Sequence, residues 1–178
     1  RAATKLVAVP AERYLIQPNP HDPRLAERVT RVDQTGQPLA PALKRDFPEV
    51  EATARLAGVN SFLFTAGDKR LTGIQGGFAD SSFLQMFSFP LAAGVQNHQP
   101  NNIYSIVITE NLAKKLFGKD EALNKIIKID STDNFIVTGI LKNLPSNTRF
   151  TFEYLLPWSY LKKLGWNNDS WLSNNIST

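Results

Sequence analysis

Residues 104–141 constrain the fold of this chain more than any other segment. The run from Ser105 to Ile108 is largely β-branched and apolar, which is typical of a buried strand. Thr109 then supplies a helix N-cap, and Glu110 places a carboxylate in the first turn, where the helix dipole favours it. Apolar residues follow at helical spacing until Gly118, which suits a left-handed C-cap. The sequence therefore predicts a strand that leads directly into a helix.

Two β-hairpins are predicted from strand-like runs separated by turn residues. The paired segments are residues 126–130 with 135–141, across 131–134, and residues 59–65 with 70–75, across 66–69. A short helix that carries Phe83 to Phe87 is expected after the capping cluster Asp80-Ser81-Ser82, and another helix opens near Pro41. Gly76-Gly77 predicts a break, and residues 150–155 predict a further strand. Since 42% of the residues are apolar, the chain can bury a core.

The basic residues are dispersed along the sequence. The formal net charge is +4, and pairs such as Lys44-Arg45 and Lys162-Lys163 occur without an arginine-rich arm or an aromatic RNA-binding strand. We therefore expect no nucleic-acid partner.

Apolar runs such as Ile136–Leu141 are far shorter than the roughly 18–20 residues of a membrane helix. Because no leader peptide opens the sequence at Arg1, we expect both ends to be boundaries within a longer protein.

The sequence offers no set of side chains that is typical of an enzyme. It contains no cysteine, which excludes a thiol nucleophile and a disulfide scaffold. His21 and His98 are its two histidines, and neither has a second metal ligand at helical spacing. Asp80 and Glu110 are candidates for a carboxylate pair, but each stands at a predicted helix start, where an acid is favoured as a cap. We therefore expect no catalytic activity, no cofactor and no metal site.

Two segments are candidates for contact with a partner or substrate. The polar stretch from Gly94 to Asn102 has no periodicity and is predicted to be a surface loop, with Asn97 and His98 near its centre. In the C-terminal segment, tryptophans crowd a polar stretch, as in surfaces that are covered by further chain lying outside this sequence. The candidate contact residues are Asn97, His98, Trp166 and Trp171. The spacing of Phe83, Phe87 and Phe89, in contrast, predicts core packing.

Residues 78–91 carry a family resemblance. They read Phe-Ala-Asp-Ser-Ser-Phe-Leu-Gln-Met-Phe-Ser-Phe-Pro-Leu, with Gly94 following, and resemble MacB-like periplasmic core domains of MacB/FtsX-type ABC transporter permeases, especially those of Bacteroidetes. The similarity extends over Pro41–Leu56 in part, Ser105–Glu110, Ala113–Gly118, Lys128–Asp130, Phe135–Gly139 and Pro145–Phe150. It departs at Ala79, where valine is usual, at Asn124, where glycine is usual, and at Thr148-Arg149, where Ser-His is commoner. Asn tolerates the left-handed turn conformation, so this departure does not affect the fold.

The resemblance implies an α+β domain held between the first two transmembrane helices of a permease. It implies a porter-like α/β subdomain, residues 1–77 and 146–178, with an inserted mixed α/β, sabre-like subdomain at residues 78–145. It places the domain on the periplasmic side of the bacterial inner membrane. The implied partners are a second permease copy, a cytoplasmic ABC ATPase that acts through the transmembrane helices, and a periplasmic adaptor or lipoprotein. The implied function is to convert ATPase-driven transmembrane motion into movement for export or lipoprotein handling.

Two other functions are compatible with the residues themselves. A ligand-sensing extracytoplasmic module of a membrane receptor would also be flanked by membrane helices, and it would need a small-ligand pocket. A hydrolase with an unrecognised site would need turnover of an ester, peptide or glycoside substrate. The sequence does not exclude either alternative.

Overall fold

The structure is a computed structural model that describes residues 36–166, apart from residues 49, 60–61, 95–101 and 149. Within these residues the chain forms four helices and nine strands. The helices are α1 (Leu39–Asp46), α2 (Phe83–Met86), α3 (Glu110–Phe117) and α4 (Trp158–Lys163). The strands are β1 (Leu56–Val59), β2 (Phe64–Ala66), β3 (Lys69–Leu71), β4 (Gly76–Ala79), β5 (Leu91–Gly94), β6 (Ser105–Thr109), β7 (Ile126–Ile129), β8 (Asp133–Leu141) and β9 (Tyr154–Pro157). None of these helices is long and apolar enough to cross a bilayer.

The nine strands form one mixed sheet. Its order is β1-β4-β9-β6-β8-β7-β2-β3, and β5 pairs with β8 off this path. The pairs β4–β9 and β6–β8 are parallel, and the other pairs are antiparallel. β8 has nine residues, so it pairs with β6 along one edge and with β7 and then β5 along the other. This mixed sheet with packed helices confirms the α+β fold class.

The three strands β4, β9 and β6, called the closed region below, are buried on both faces of the sheet. All residues of β6 and β9 are buried, as are three of the four in β4. One face carries Ile108 and Leu156, which belong to the larger core cluster with residues of α3 and α4. The opposite face carries Val107 and Leu155, which belong to a second cluster with α2. Successive side chains point to opposite faces, so a strand covered on both sides needs an unbroken apolar run.

The strands β3, β2, β7 and the first half of β8, called the open region below, are covered on one face only by the residues that the structure describes. Along β7 and the start of β8, exposed and buried residues alternate. Ile127 and Phe135 are buried in the larger core cluster, which also contains α3 residues. Ile126 and Ile136, one position away, are 57% and 41% exposed. Such alternation is typical of a strand with one face in water.

A β-bulge in β8 separates the two regions. Ile106 pairs with Val137, but the next residue of β6, Val107, pairs with Gly139, so Thr138 is the extra residue. Before the bulge, odd-numbered residues such as Val137 pack in the larger core; after it, Leu141 packs in the second core. An extra residue reverses the faces that alternate positions occupy. Because of the bulge, the odd-numbered residues of β8 face the larger core before Thr138 and the second core after it.

The strand and helix predicted around residues 105–117 are confirmed. β6 leads directly into α3, and the Thr109 hydroxyl accepts a hydrogen bond from the Leu112 N–H at 3.3 Å. Gly118 has a φ of 69°, as expected for the residue after the helix. Both predicted hairpins are also present. The strands β2 and β3 are shorter than predicted, whereas β8 is longer and begins at Asp133, within the predicted turn.

Three predictions about local structure need correction, and one segment without a prediction proves to be helical. Gly76-Gly77 is not a break but part of β4, where a Cβ on Gly77 would overlap the Ala57 carbonyl oxygen. The predicted strand at 150–155 begins later, at Tyr154 of β9, and Phe152 packs in the second core ahead of the strand. Residues 91–94 form β5, although Gly94 was expected to open a loop. The segment after Pro157, which shows no clear pattern in the sequence, begins with α4.

Candidate functional site

Trp166 is the one predicted contact residue that the structure describes. It follows α4, and its side chain is 54% exposed, close in sequence to Leu164, which is 43% exposed. Gly165 between them has a φ of 87°, which a residue with a side chain rarely adopts. Asn97, His98 and Trp171 lie outside the described residues. The role of all four as contact residues stays a prediction.

Arg55 and Asp80 form the least exposed ion pair among the described residues. Arg55 Nε donates to Asp80 Oδ2 and Nη2 donates to Oδ1, both at 2.8 Å, and the Arg55 backbone N–H also donates to Oδ2 at 2.9 Å. The side chains are 14% and 21% exposed. This contact corrects the prediction that Asp80 caps α2, since its carboxylate binds a residue 25 positions earlier in the chain. Ser82, at the helix start, donates its hydroxyl to the Thr53 carbonyl oxygen instead.

The indole of Trp158 lies against this ion pair. The Arg55 guanidinium carbon is 4.2 Å from the centroid of the ring, which is the geometry of a cation–π contact. Arg55 precedes β1, Asp80 follows β4, and Trp158 opens α4. These three residues, called the Arg55 junction below, come one from each of the three ranges predicted as porter-like, sabre-like and returning porter-like segments. A bidentate, stacked arginine holds its partners in one relative orientation.

A second polar cluster fixes the far end of α4 to the start of β8. The Tyr160 hydroxyl donates to Asp133 Oδ2 at 2.7 Å, and Lys163 Nζ donates to the same carboxylate at 3.1 Å and to the Tyr104 hydroxyl at 2.8 Å. The hydrogen bond from Tyr160 holds the pKa of Asp133 below its ordinary value, and Lys163 adds to this effect. Burial, followed by the contact with Asp133, raises the pKa of Tyr160. Asp133 is therefore ionised at neutral pH and Tyr160 keeps its proton.

The start of α3 is tied to the loop after β8. The Asn143 side-chain oxygen accepts from the Asn111 N–H at 2.9 Å, and the Asn143 N–H donates to Glu110 Oε2 at 3.3 Å. On the exposed side of the helix, Lys115 Nζ donates to the Glu153 carboxylate at 2.8 Å. Glu110 and Asp80, considered above as a carboxylate pair, thus have separate partners. Their contacts are those of structural groups.

Phenylalanine rings form the centre of the second core. Neighbouring rings have centroid distances from 5.1 to 6.2 Å, and the members are Phe83, Phe87, Phe89, Phe150 and Phe152. Phe83 and Phe89 are buried, as predicted, but Phe87 is 46% exposed.

Two open grooves, of about 360 and 390 Å³, share the segment 150–152 as a common wall. Within the described ranges, no three His, Asp or Glu side chains are grouped so that they could hold a metal ion.

The chain is similar in sequence and in fold to known proteins. The family profile for the MacB-like periplasmic core domain matches residues 4–176. A solved domain from Porphyromonas gingivalis, described as that of a permease protein, has 26% sequence identity and a TM-score of 0.68. The alignment covers 81% of this chain and 61% of that domain. This chain therefore spans about three fifths of that relative's length.

Two more distant structures share the fold. The periplasmic region of MacB from Actinobacillus actinomycetemcomitans has 13% identity and a TM-score of 0.57, with 78% of this chain and 63% of that chain covered. The extracellular domain of the noncanonical ABC-type transporter YknZ from Gram-positive bacteria has 19% identity and a TM-score of 0.56, with 82% and 71% covered. A search of curated proteins gives no significant match.

The family profile matches nearly the whole sequence, and the fold agrees with periplasmic and extracellular domains of ABC transporters. The chain therefore belongs to the family of MacB-like periplasmic core domains of ABC transporter permeases.

Proposed function

We propose that this domain transmits ATPase-driven motion of a permease's transmembrane helices to the periplasmic side, for export or for lipoprotein handling. In this proposal it performs no catalysis. It acts in an assembly with a second permease copy and a cytoplasmic ABC ATPase, on the periplasmic side of the bacterial inner membrane. A periplasmic adaptor or a lipoprotein is the downstream partner.

The Arg55 junction is the observation that carries the proposal. Transmission of motion through a domain requires that its segments move together, so contacts between segments matter more than reactive groups. The junction connects the starts or ends of β1, β4 and α4 through a bidentate ion pair and a ring contact. Losing one partner of a shielded ion pair leaves the other charge uncompensated, which costs about 3 kcal/mol. A displacement of α4 would therefore be passed on to β1 and β4.

The closed region supports the same proposal. Its strands are packed on both faces, and packed interiors resist compression and pass on strain. The parallel pair β4–β9 joins segments on either side of the predicted insertion at residues 78–145. The subdomain boundaries themselves remain part of the proposal, and residue 78 falls within β4.

The test uses the full-length permease with its ATPase, reconstituted in vesicles. A spin label at the exposed residue Glu121 of each permease copy reports the distance between the two domains by pulsed electron paramagnetic resonance. We expect ATP to change this distance in the wild type. Arg55→Lys keeps the charge but loses the bidentate contact, so it should reduce the change at least threefold while ATP hydrolysis stays within twofold.

Arg45→Lys is the matched control, because the Arg45–Asp46 pair is also bidentate but its side chains are 72% and 50% exposed. We expect this variant to behave as the wild type does. An unchanged distance on ATP addition to the wild type would overturn the proposed function. If Arg55→Lys showed the same distance change as the wild type, the proposed function would stand, but the Arg55 junction would not be its structural basis.

The sensor alternative is less well supported. It requires a pocket that encloses a small ligand, whereas the two described grooves are open to solvent and share a wall at Phe150–Phe152. Membership of a permease domain family favours the transport function. The hydrolase alternative has no described set of side chains in its favour.

A further inference from the structure

The uncovered face of the open region carries an ordered set of side chains. Thr65 of β2 is aligned with Arg70 of β3 on one side and with Lys128 of β7 on the other. Lys128 is in turn aligned with Asn134 of β8. Directly aligned residues of neighbouring strands point to the same face, so these four side chains form a row across four strands.

An apolar pair lies beside this row. Ile126 and Ile136 are aligned across β7 and β8 and are two positions from Lys128 and Asn134, so they share the same face. The residues between them, Ile127 and Phe135, are fully buried on the α3 side. The face therefore combines two exposed isoleucines with a polar, basic row.

The charge of this face has one sign. Its strand positions include Arg70 and Lys128 and no carboxylate. Of the nearest acids, Asp133 binds Tyr160 and Lys163 on the core side, and Asp130 Oδ1 accepts the Leu63 N–H at 2.8 Å. Asp68 lies beyond the strands, in the exposed turn between β2 and β3. The strand positions of the face thus carry two cations and no carboxylate, and both cations point to the same surface.

We propose that the open face docks a protein that presents carboxylates around a small apolar centre. The exposed isoleucines would contact the apolar centre, and Arg70 and Lys128 would pair with the acids at its rim. The inference rests on the proposed function only in that the docked protein is a periplasmic partner of the permease.

Two other occupants fit the face less well. A second copy of this chain in a twofold contact would bring the same cations together, which like charges disfavour. A membrane surface is usually bound by protruding aromatic residues or an amphipathic helix, whereas this face is a flat sheet with two isoleucines.

Four strands about 4.8 Å apart measure roughly 15 Å across, so the face is too small to bury the area of a standard stable interface. The docked complex is therefore transient, with association that depends on salt.

The test begins with the full-length permease in cells. A photo-crosslinking amino acid replaces Asn134, which lies on the open face next to Lys128, or Lys114, on the exposed side of α3, as a control. We expect position 134 to capture a soluble or lipid-anchored protein that position 114 does not. That protein is then identified, purified and titrated against the permease domain by calorimetry.

Charge reversal distinguishes the open face from a general charge effect. R70E/K128E and the matched control K114E/K119E change the net charge equally, and all four residues are exposed. We expect at least tenfold weaker binding for the first variant and less than twofold for the second. I126S/I136S should also weaken binding at least fivefold without altering the circular dichroism spectrum.

Several outcomes would overturn the inference. These are crosslinks from position 134 only to lipid or to a second permease copy, no crosslink at all, or equal weakening by both charge reversals. The ATP-dependent distance between the two domains does not require the docked protein. Its loss would therefore count against the proposed function and not against this surface.

Discussion

The closed and open regions belong to one sheet but differ in what covers them. In the closed region, β6 and β9 are buried along their whole length, because α3 and α4 lie on one face and α2 with the phenylalanine cluster on the other. In the open region, β7 buries every second residue and leaves the alternate face exposed. Burial of apolar surface is the main stabilising term in a fold. The closed region is therefore the rigid part of the sheet, and the open region leaves one face accessible to solvent.

The largest expected effect tests this difference directly. Leu155→Ala, in the closed region, removes a fully buried side chain and should lower the free energy of unfolding by about 2–5 kcal/mol. Ile136→Ala, in the open region, removes a side chain that is 41% exposed and should cost about 0.5 kcal/mol. Urea unfolding of the two variants measures both values. Equal losses would mean that the open face is buried in solution.

A smaller effect tests the close approach of β1 and β4. Gly58 and Gly77 are aligned partners, but a Cβ on Gly77 would overlap the Ala57 carbonyl oxygen, whereas a Cβ on Gly58 meets only the Gly76 oxygen at 3.9 Å. Gly77→Ala should therefore destabilise the fold by roughly 1–3 kcal/mol. Gly58→Ala should stay within about 0.5 kcal/mol of the wild type. Thermal unfolding compares the pair, and the reverse order would contradict the described strand spacing.

The smallest effect concerns the contact that links the open region to α4. Because Tyr160 and Lys163 hold the pKa of Asp133 below its ordinary value in the folded protein, ionised Asp133 stabilises the fold above that ordinary value. This stabilisation is lost as the pH falls through the lowered pKa. Asp133→Asn should therefore unfold at a lower temperature than the wild type near neutral pH, with a difference that shrinks in acid.

Melting temperatures recorded from neutral to strongly acidic pH measure this difference. Asp68→Asn, in the exposed β2–β3 turn, is the control and should follow the wild type throughout. A constant difference between Asp133→Asn and the wild type across the pH range would show that the carboxylate's charge is not what matters.

Local chemistry made much of the fold predictable. Thr109 and Gly118 mark the ends of α3 because capping depends on residues within one turn. Asn124, where the family usually has glycine, has a φ of 63°, as expected for a residue that tolerates the left-handed region. The hairpin at β7–β8 follows from two apolar runs and a short turn.

Long-range contacts account for the features that the sequence did not reveal. Asp80 has the residue type and position of a helix cap, yet its partner Arg55 is fixed by the pairing of β1 with β4. The open face depends on the pairing of Thr65 with Lys128, which lies more than 60 residues further along the chain. No local pattern contains such pairings. Of the predicted contact residues, Trp166 is exposed, but the surface proposed for docking lies elsewhere.

The parallel pairing of β4 with β9 has a consequence for biogenesis. Its partners Gly76 and Tyr154 are 78 positions apart, so the central ladder cannot close until the chain has emerged past Pro157. Until then Phe83 and Phe89 lack Phe152 as a covering ring. High sequence separation slows folding and prolongs exposure of apolar surface. We therefore expect chains truncated before residue 157 to expose apolar surface for longer and to be degraded more rapidly than the whole domain.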